Sequence, residues 1–195
     1  PDEELPRDLI AMRMTPAGDE WWLGGQRGEI KKVDAGDPTS ASIVVDLSSG
    51  MELLKQFEEG LLDFAFSPAF ESNNFFYVSY TIKDKEGSKN RLSRFTYFDD
   101  DSIGTKSSVD IVITSEVKAT SFHSAGWVGF KPSDYQDTSE AFHDIYWAIG
   151  DGGPQADPYG TGADLSNLLA TIVRVSVPAG TEETGYKVPD GNRKG

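Results

Sequence analysis

One strand pattern recurs three times along this chain, and it limits the possible folds more than any other feature. Each unit has an alternating apolar strand ending in proline, a polar turn, an aromatic-rich strand and then a further alternating strand. Met12-Arg13-Met14-Thr15-Pro16 is followed by Trp21-Trp22-Leu23 and by Glu29 to Val33. Phe64-Ala65-Phe66-Ser67-Pro68 is followed by Phe75 to Tyr80 and by Ser93 to Phe98. Val128-Gly129-Phe130-Lys131-Pro132 is followed by Ile145 to Ile149 and by Thr171 to Val177. The marker prolines Pro16, Pro68 and Pro132 stand 52 and 64 residues apart, a period expected of propeller blades with loop insertions. A fourth, outer strand fits Ser42 to Leu47 in the first unit and Asp110 to Thr114 in the second.

The fold class that follows is all-β: a partial β-propeller of four-stranded antiparallel blades over residues 8–50, 61–115 and 126–178, with a polar tail at 179–195. Complete propellers close a ring of about four to eight blades. Three blades therefore make an open arc with two uncovered faces, and further blades or a partner chain are expected to cover them. Short helical turns fit Met51 to Glu58 and Ala163 to Leu169, and Asp99-Asp100-Asp101 reads as a solvated turn.

Charge and composition exclude several functions. A formal net charge of −14 and a pI near 4.4 argue against a nucleic-acid surface, whose affinity comes from Lys and Arg on phosphates, and against an anionic membrane. With no cysteine, disulfides, Cys-zinc sites and thiol nucleophiles are all excluded. No apolar run reaches the roughly 18 residues of a membrane span. A Gly-x-Ser-x-Gly elbow and a Walker loop are also missing, which removes the common α/β-hydrolase and NTPase readings.

Residues with useful chemistry gather at strand ends. His123 opens the inner strand of the third unit, and Asp151 follows the next strand in Ile149-Gly150-Asp151-Gly152-Gly153. Antiparallel neighbours would bring both to one end of the sheet, where a histidine, ordinarily titrating near 6.5, can act as a base. Asp151 would orient the imidazole, bind a cation or cap the Gly-Gly turn. Glu58 and Glu59 precede the inner strand of the second unit at the corresponding place, so Glu58 is expected to face His123 across the channel mouth; a solvated loop is the plain reading of both glutamates. Asp151, Asp157 and Asp164 lie in a glycine-rich loop whose composition suits calcium, although the spacing is not that of an EF-hand. His143 is expected at the surface, and Trp21, Trp22, Trp127 and Trp147 are expected to pack within the sheets. A hydrolytic pair of His123 with Ser124 is disfavoured because neighbouring strand residues point to opposite faces.

With these residues assembled, the chain resembles the glucose/sorbosone dehydrogenase family, which includes the soluble quinoprotein glucose dehydrogenases and Hedgehog-interacting-protein-like propellers. The resemblance is carried by Glu59-Gly60-Leu61-Leu62-Asp63-Phe64-Ala65-Phe66-Ser67-Pro68-Ala69-Phe70 and Phe76 to Tyr80. It continues in the family's order through His123 to Pro132, Ile149 to Gly153 and Leu168 to Val175. It implies the N-terminal half of a six-bladed propeller holding pyrroloquinoline quinone (PQQ) and calcium at the channel mouth. It further implies His123 as the base that takes the sugar C1 hydroxyl proton, Asp151 as its support, Glu58 at a substrate contact, and an extracytoplasmic location. Three positions depart from the pattern: Phe122 replaces an acidic residue, Glu58 replaces glutamine, and Ser124-Ala125 replaces a more polar or glycine-rich pair. The family's quinone- and calcium-gripping residues belong to later blades. The alternative is a non-catalytic propeller that binds a protein or glycan within an extracytoplasmic assembly.

Overall fold

A computed structural model describes residues 5–49, 53, 56–98, 109–180 and 183–192. The first sheet contains β1 (Leu9–Met14), β2 (Glu20–Gly25), β3 (Glu29–Asp34) and β4 (Asp37–Asp46), each antiparallel to the next. In the second, β5 (Leu61–Phe66), β6 (Phe75–Lys83), β7 (Ser88–Thr96) and β8 (Val109–Val117) repeat that order. The third has β9 (Ala125–Phe130), β10 (Phe142–Ile149) and β11 (Ile172–Pro178). Each sheet is an up-and-down meander, so its first strand is innermost, and β5 packs against both β1 and β9. This is the blade arrangement of a β-propeller.

Burial follows from the stacking of blades. The middle sheet is covered on both faces, so β5 is buried along its whole length and β6 from Phe75 to Ile82. Trp22 of the first blade is fully buried in a ring of Phe64, Phe66, Phe70, Phe76 and Tyr97, with centroids 4.8–6.4 Å away. Trp147 plays the matching part between the second and third blades, where its Nε1–H donates to Ser79 Oγ at 2.9 Å. The third blade is covered on one side only, and β10 alternates accordingly: His143, Ile145, Trp147 and Ile149 are buried, while the residues between them are half-buried. Ile172 and Met12, on the outward faces of the end blades, are exposed at 71% and 50%.

Asp63 joins the innermost strands. Arg13 of β1 donates to both of its carboxylate oxygens at 2.7 and 2.9 Å, and the Val128 N–H of β9 donates to Oδ2 at 3.1 Å. The tail is also anchored: Lys187 exchanges backbone hydrogen bonds with Ser176 at 2.8 and 2.9 Å, and Arg94 donates to the Glu183 carbonyl.

Several expectations need correction. His143 is buried at 4% exposure because β10 starts at Phe142 and its alternation places 143 on the same face as Ile145. Trp127, by contrast, is half exposed on β9 and leans over Gly129. The helical turn lies at Thr161–Ala163 rather than Ala163 to Leu169, and a one-turn α-helix, α1 (Phe70–Asn73), was not anticipated. The polar tail also pairs with the third sheet, through an isolated bridge between Lys187 and Ser176. Residues 99–101, and with them the acidic turn, lie outside the described residues, as do 51, 52, 54 and 55. The described part of the helical turn expected at Met51 to Glu58 is not helical: Leu53 forms an isolated bridge with Ile82, and 56–58 form a plain turn. Among the described residues no helix is long and apolar enough to cross a membrane.

Since Asp63 satisfies groups from three strands, Asp63→Ala is expected to lower unfolding stability by about 2–3 kcal/mol, from an unpaired buried N–H and a stranded guanidinium. Urea unfolding of the variant beside the parent checks this; an unchanged midpoint would remove Asp63 as the tie between blades.

Candidate functional site

The segment after β8 builds the site. Lys118 is buried at its start, and Thr120 then bonds across to the Asp151 loop: its N–H and Oγ1–H both donate to the Gly152 carbonyl at 3.0 Å. His123 follows at φ +48°, a left-handed conformation that histidine visits more readily than most side chains. Its carbonyl accepts the Gly152 N–H, and the Ser124 carbonyl accepts the Gly150 N–H, each at 3.0 Å. This backbone pairing explains the glycines of the 149–153 motif. A Cβ on Gly150 would stand 2.3 Å from the His123 carbonyl oxygen, and Gly152 sits at φ +76°.

The result is close contact between the two candidate residues. His123 Nδ1 lies 2.7 Å from Asp151 Oδ1, and the same oxygen accepts the Gly153 N–H at 2.8 Å. Asp151 therefore both orients the imidazole and caps the Gly-Gly turn. The Gly153 N–H, then the bond from His123, holds the Asp151 carboxyl below the usual carboxylate range. An ionised carboxylate only accepts, so Nδ1 is the protonated nitrogen of the neutral ring, and Nε2 is left to meet a ligand. His123 and Asp151 line a cleft of about 560 Å³ with Ser124 to Gly126, Ala148 to Gly150 and Ala170 to Ile172. A second cleft of about 460 Å³ shares Ser124 to Gly126 and adds Asp8, Leu9, Ile10, Gln26, Phe57, Glu58 and Leu62.

Glu58 reaches His123 through the backbone: Oε2 accepts the His123 N–H at 2.6 Å. Beside it, exposed Phe57 packs against Phe122 with centroids 5.0 Å apart. Glu59 is not a solvated loop residue. It is buried at 2% exposure, with Oε1 accepting from Lys118 Nζ at 3.0 Å and from Ser88 Oγ at 2.6 Å. Lys118 also donates to Ser124 Oγ at 2.7 Å, so Ser124 is paired with lysine and not with His123. Sequence reasoning missed Lys118 and Ser88 as site residues and considered Ser124 only as a disfavoured partner of His123, because Glu59, which gathers them, lies far along the chain from each.

The three aspartates considered for calcium are spread over separate turns. Asp157 accepts the Thr161 and Gly162 N–H groups, and Asp164 accepts from Ser166. Among the described residues, no group of three or more His, Asp or Glu side chains is placed to hold a metal.

Comparison with known proteins assigns the architecture. The glucose/sorbosone dehydrogenase family model matches residues 7–188. The chain belongs to the glucose/sorbosone dehydrogenase family. Among solved structures, it is similar to the PQQ-bound aldose sugar dehydrogenase of Streptomyces coelicolor, with 21% identity and a TM-score of 0.68 over 88% of this chain and 45% of that one. It is also similar to the apo soluble aldose sugar dehydrogenase of Escherichia coli, with 17% identity and a TM-score of 0.66 over 95% of this chain and 47% of that one. A further glucose dehydrogenase matches at 13% identity and a TM-score of 0.68, over 89% of this chain and 49% of the other. At these identities the likeness is one of fold. The chain spans about half the length of each of these structures.

A carboxyl whose pKa is depressed on folding stabilises the fold above its unfolded pKa, about 3.9, and loses that contribution as pH falls through the lower folded value. Asp151→Asn is therefore expected to be less stable than the parent at neutral pH, to begin converging on it as pH falls below about 3.9, and to meet it below the lower folded value. Thermal unfolding measured across that range checks the sign; a gap that widens on acidification contradicts it.

Proposed function

We propose that this chain is the proton-handling part of a sugar or aldehyde dehydrogenase. The reading rests on one observation above all: the His123–Asp151 pair, with Nδ1 committed to the carboxylate, beside an open cleft. In this role Nε2 accepts the proton of the substrate hydroxyl, an aldose C1 hydroxyl by the family resemblance, and Asp151 stabilises the imidazolium that forms. The carbon's hydride, and with it two electrons, must leave to an acceptor. PQQ with calcium is the acceptor the family suggests, the PQQ-bound Streptomyces enzyme being one of the similar structures.

The residues around these clefts do not fit a tricarboxylate quinone by themselves. Among the described residues, neither cleft is lined by Lys or Arg; Asp8, Glu58 and Asp151 contribute carboxylates, and Arg27 is taken up by Asp8 at 2.8 Å. Lys118 is fully buried and already paired with Glu59. The cationic grip on such an acceptor is proposed to come from further blades or a partner chain, and this chain's own task is confined to the proton and to substrate placement. The exposed Phe57–Phe122 pair supplies an apolar ledge beside His123 for the C–H face of a sugar ring. An extracytoplasmic location is part of the same proposal and rests on the family resemblance.

The absence of Lys and Arg from the clefts' lining among the described residues, together with Phe122, favours a second reading, a non-catalytic propeller that binds a glycan or protein. The two separate in one assay: aldose oxidation by the full protein, with PQQ, calcium and a dye acceptor. His123→Ala is expected to lower kcat by about 10²-fold or more. Turnover equal to the parent's, or no PQQ binding at high micromolar quinone, defeats the dehydrogenase reading. In the same assay Phe57→Ala is expected to raise KM with little change in kcat, the mark of lost ground-state binding.

A further inference from the structure

Beneath the cleft lies a cluster of charged and polar groups that the proton-transfer reading does not use. Lys118 has no exposed side-chain surface and Glu59 only 3%, yet they meet at 3.0 Å. Burying two charges is costly, and an apolar pair of similar volume would hold a fold at least as well. The cluster is therefore not explained by stability alone, and its connections suggest what else it does.

Lys118 Nζ donates to Ser124 Oγ at 2.7 Å as well as to Glu59, and Glu59 Oε1 also accepts from Ser88 Oγ at 2.6 Å. Four chain segments converge here: the entry to β5 at Glu59, the start of β7 at Ser88, the exit from β8 at Lys118 and the entry to β9 at Ser124. The neighbouring contact runs in parallel, because Glu58 accepts the His123 N–H at 2.6 Å. Two consecutive glutamates thus hold two consecutive residues of the site loop, one directly and one through a lysine. Between these holds, His123 adopts φ +48°. A non-glycine residue stays in that region when its surroundings over-determine it.

We propose that Glu59 and Lys118 are positioning residues for His123: through Ser124, and alongside Glu58, their buried ion pair fixes the backbone from which the imidazole reaches Asp151. The proposal rests on the reading of His123 as the base. Its action is indirect, since neither residue touches the imidazole. Burial also lowers the Lys118 pKa, and Glu59 opposes that shift, so removing the carboxylate would weaken the lysine as a donor to Ser124.

The test reads the ring itself. In ¹⁵N spectra of the full protein near neutral pH, the histidine signal lost in His123→Gln identifies His123. The parent is expected to show a single tautomer protonated at Nδ1. Ser124→Ala, which removes one hydroxyl and leaves the ion pair in place, is expected to lose that preference and give a mixture of tautomers. Ser124→Thr, which restores the hydroxyl, is expected to recover it. The double variant Glu59→Gln with Lys118→Met should behave as Ser124→Ala does, and if it fails to fold, the serine pair decides alone. A parent with mixed tautomers, or a folded Ser124→Ala with the parent's tautomer, overturns the proposal. Neither sugar nor acceptor enters this measurement. A tautomer lost in Ser124→Ala beside an inactive parent would keep the positioning role and sink the dehydrogenase reading, and His123-dependent turnover with an unmoved tautomer would do the reverse.

Discussion

The Asp63 carboxylate sits where the innermost strands of all three blades converge, and the arrangement of the blades depends on how its oxygens are satisfied. Arg13 arrives from β1, the Val128 N–H from β9, and Asp63 itself belongs to β5. The same strand sends Phe64 and Phe66 into the ring around Trp22, so β5 is held by a charged contact and by aromatic packing together. The rings around Trp22 and the indole of Trp147 fill the space between neighbouring sheets. The Asp63 carboxylate and the aromatic packing together tie each blade to the next.

The candidate site uses that rigidity. Its residues come from the ends of different strands, Glu58 and Glu59 before β5, Lys118 after β8, His123 before β9 and Asp151 after β10. Because β9 and β10 are antiparallel, the start of one and the end of the other share an edge, and the glycines of the 149–153 motif let the two backbones bond directly. The imidazole and carboxylate therefore stand on hydrogen-bonded backbone rather than on free loops, which is how a fold holds catalytic geometry within a fraction of an ångström.

Electrostatics divide the site into two layers. The rim carries the carboxylates of Asp8, Glu58 and Asp151, of which Asp8 pairs with Arg27 at 2.8 Å. Lys118 is withdrawn beneath the surface, where it meets Glu59 and Ser124. That division supports the proposal that this chain handles the proton of a family site while other blades or a partner supply charges for an acceptor.

The sequence alone determined the blades. Period-two alternation, the three proline markers and aromatic-rich central strands gave eleven strands in the right order, since burial against a neighbouring sheet demands that alternation. It also placed His123 and Asp151 at one end of a sheet, because antiparallel pairing follows from short connections. Only the tertiary structure decided which polar residues are buried. Glu59 and His143 look like surface residues in sequence, and both are interior: His143 by the register of one strand, Glu59 because a lysine 59 positions away pairs with it. Trp127 went the other way, left half exposed on an innermost strand. A charge's burial depends on a partner brought by folding, and no local pattern records a contact between residues that far apart.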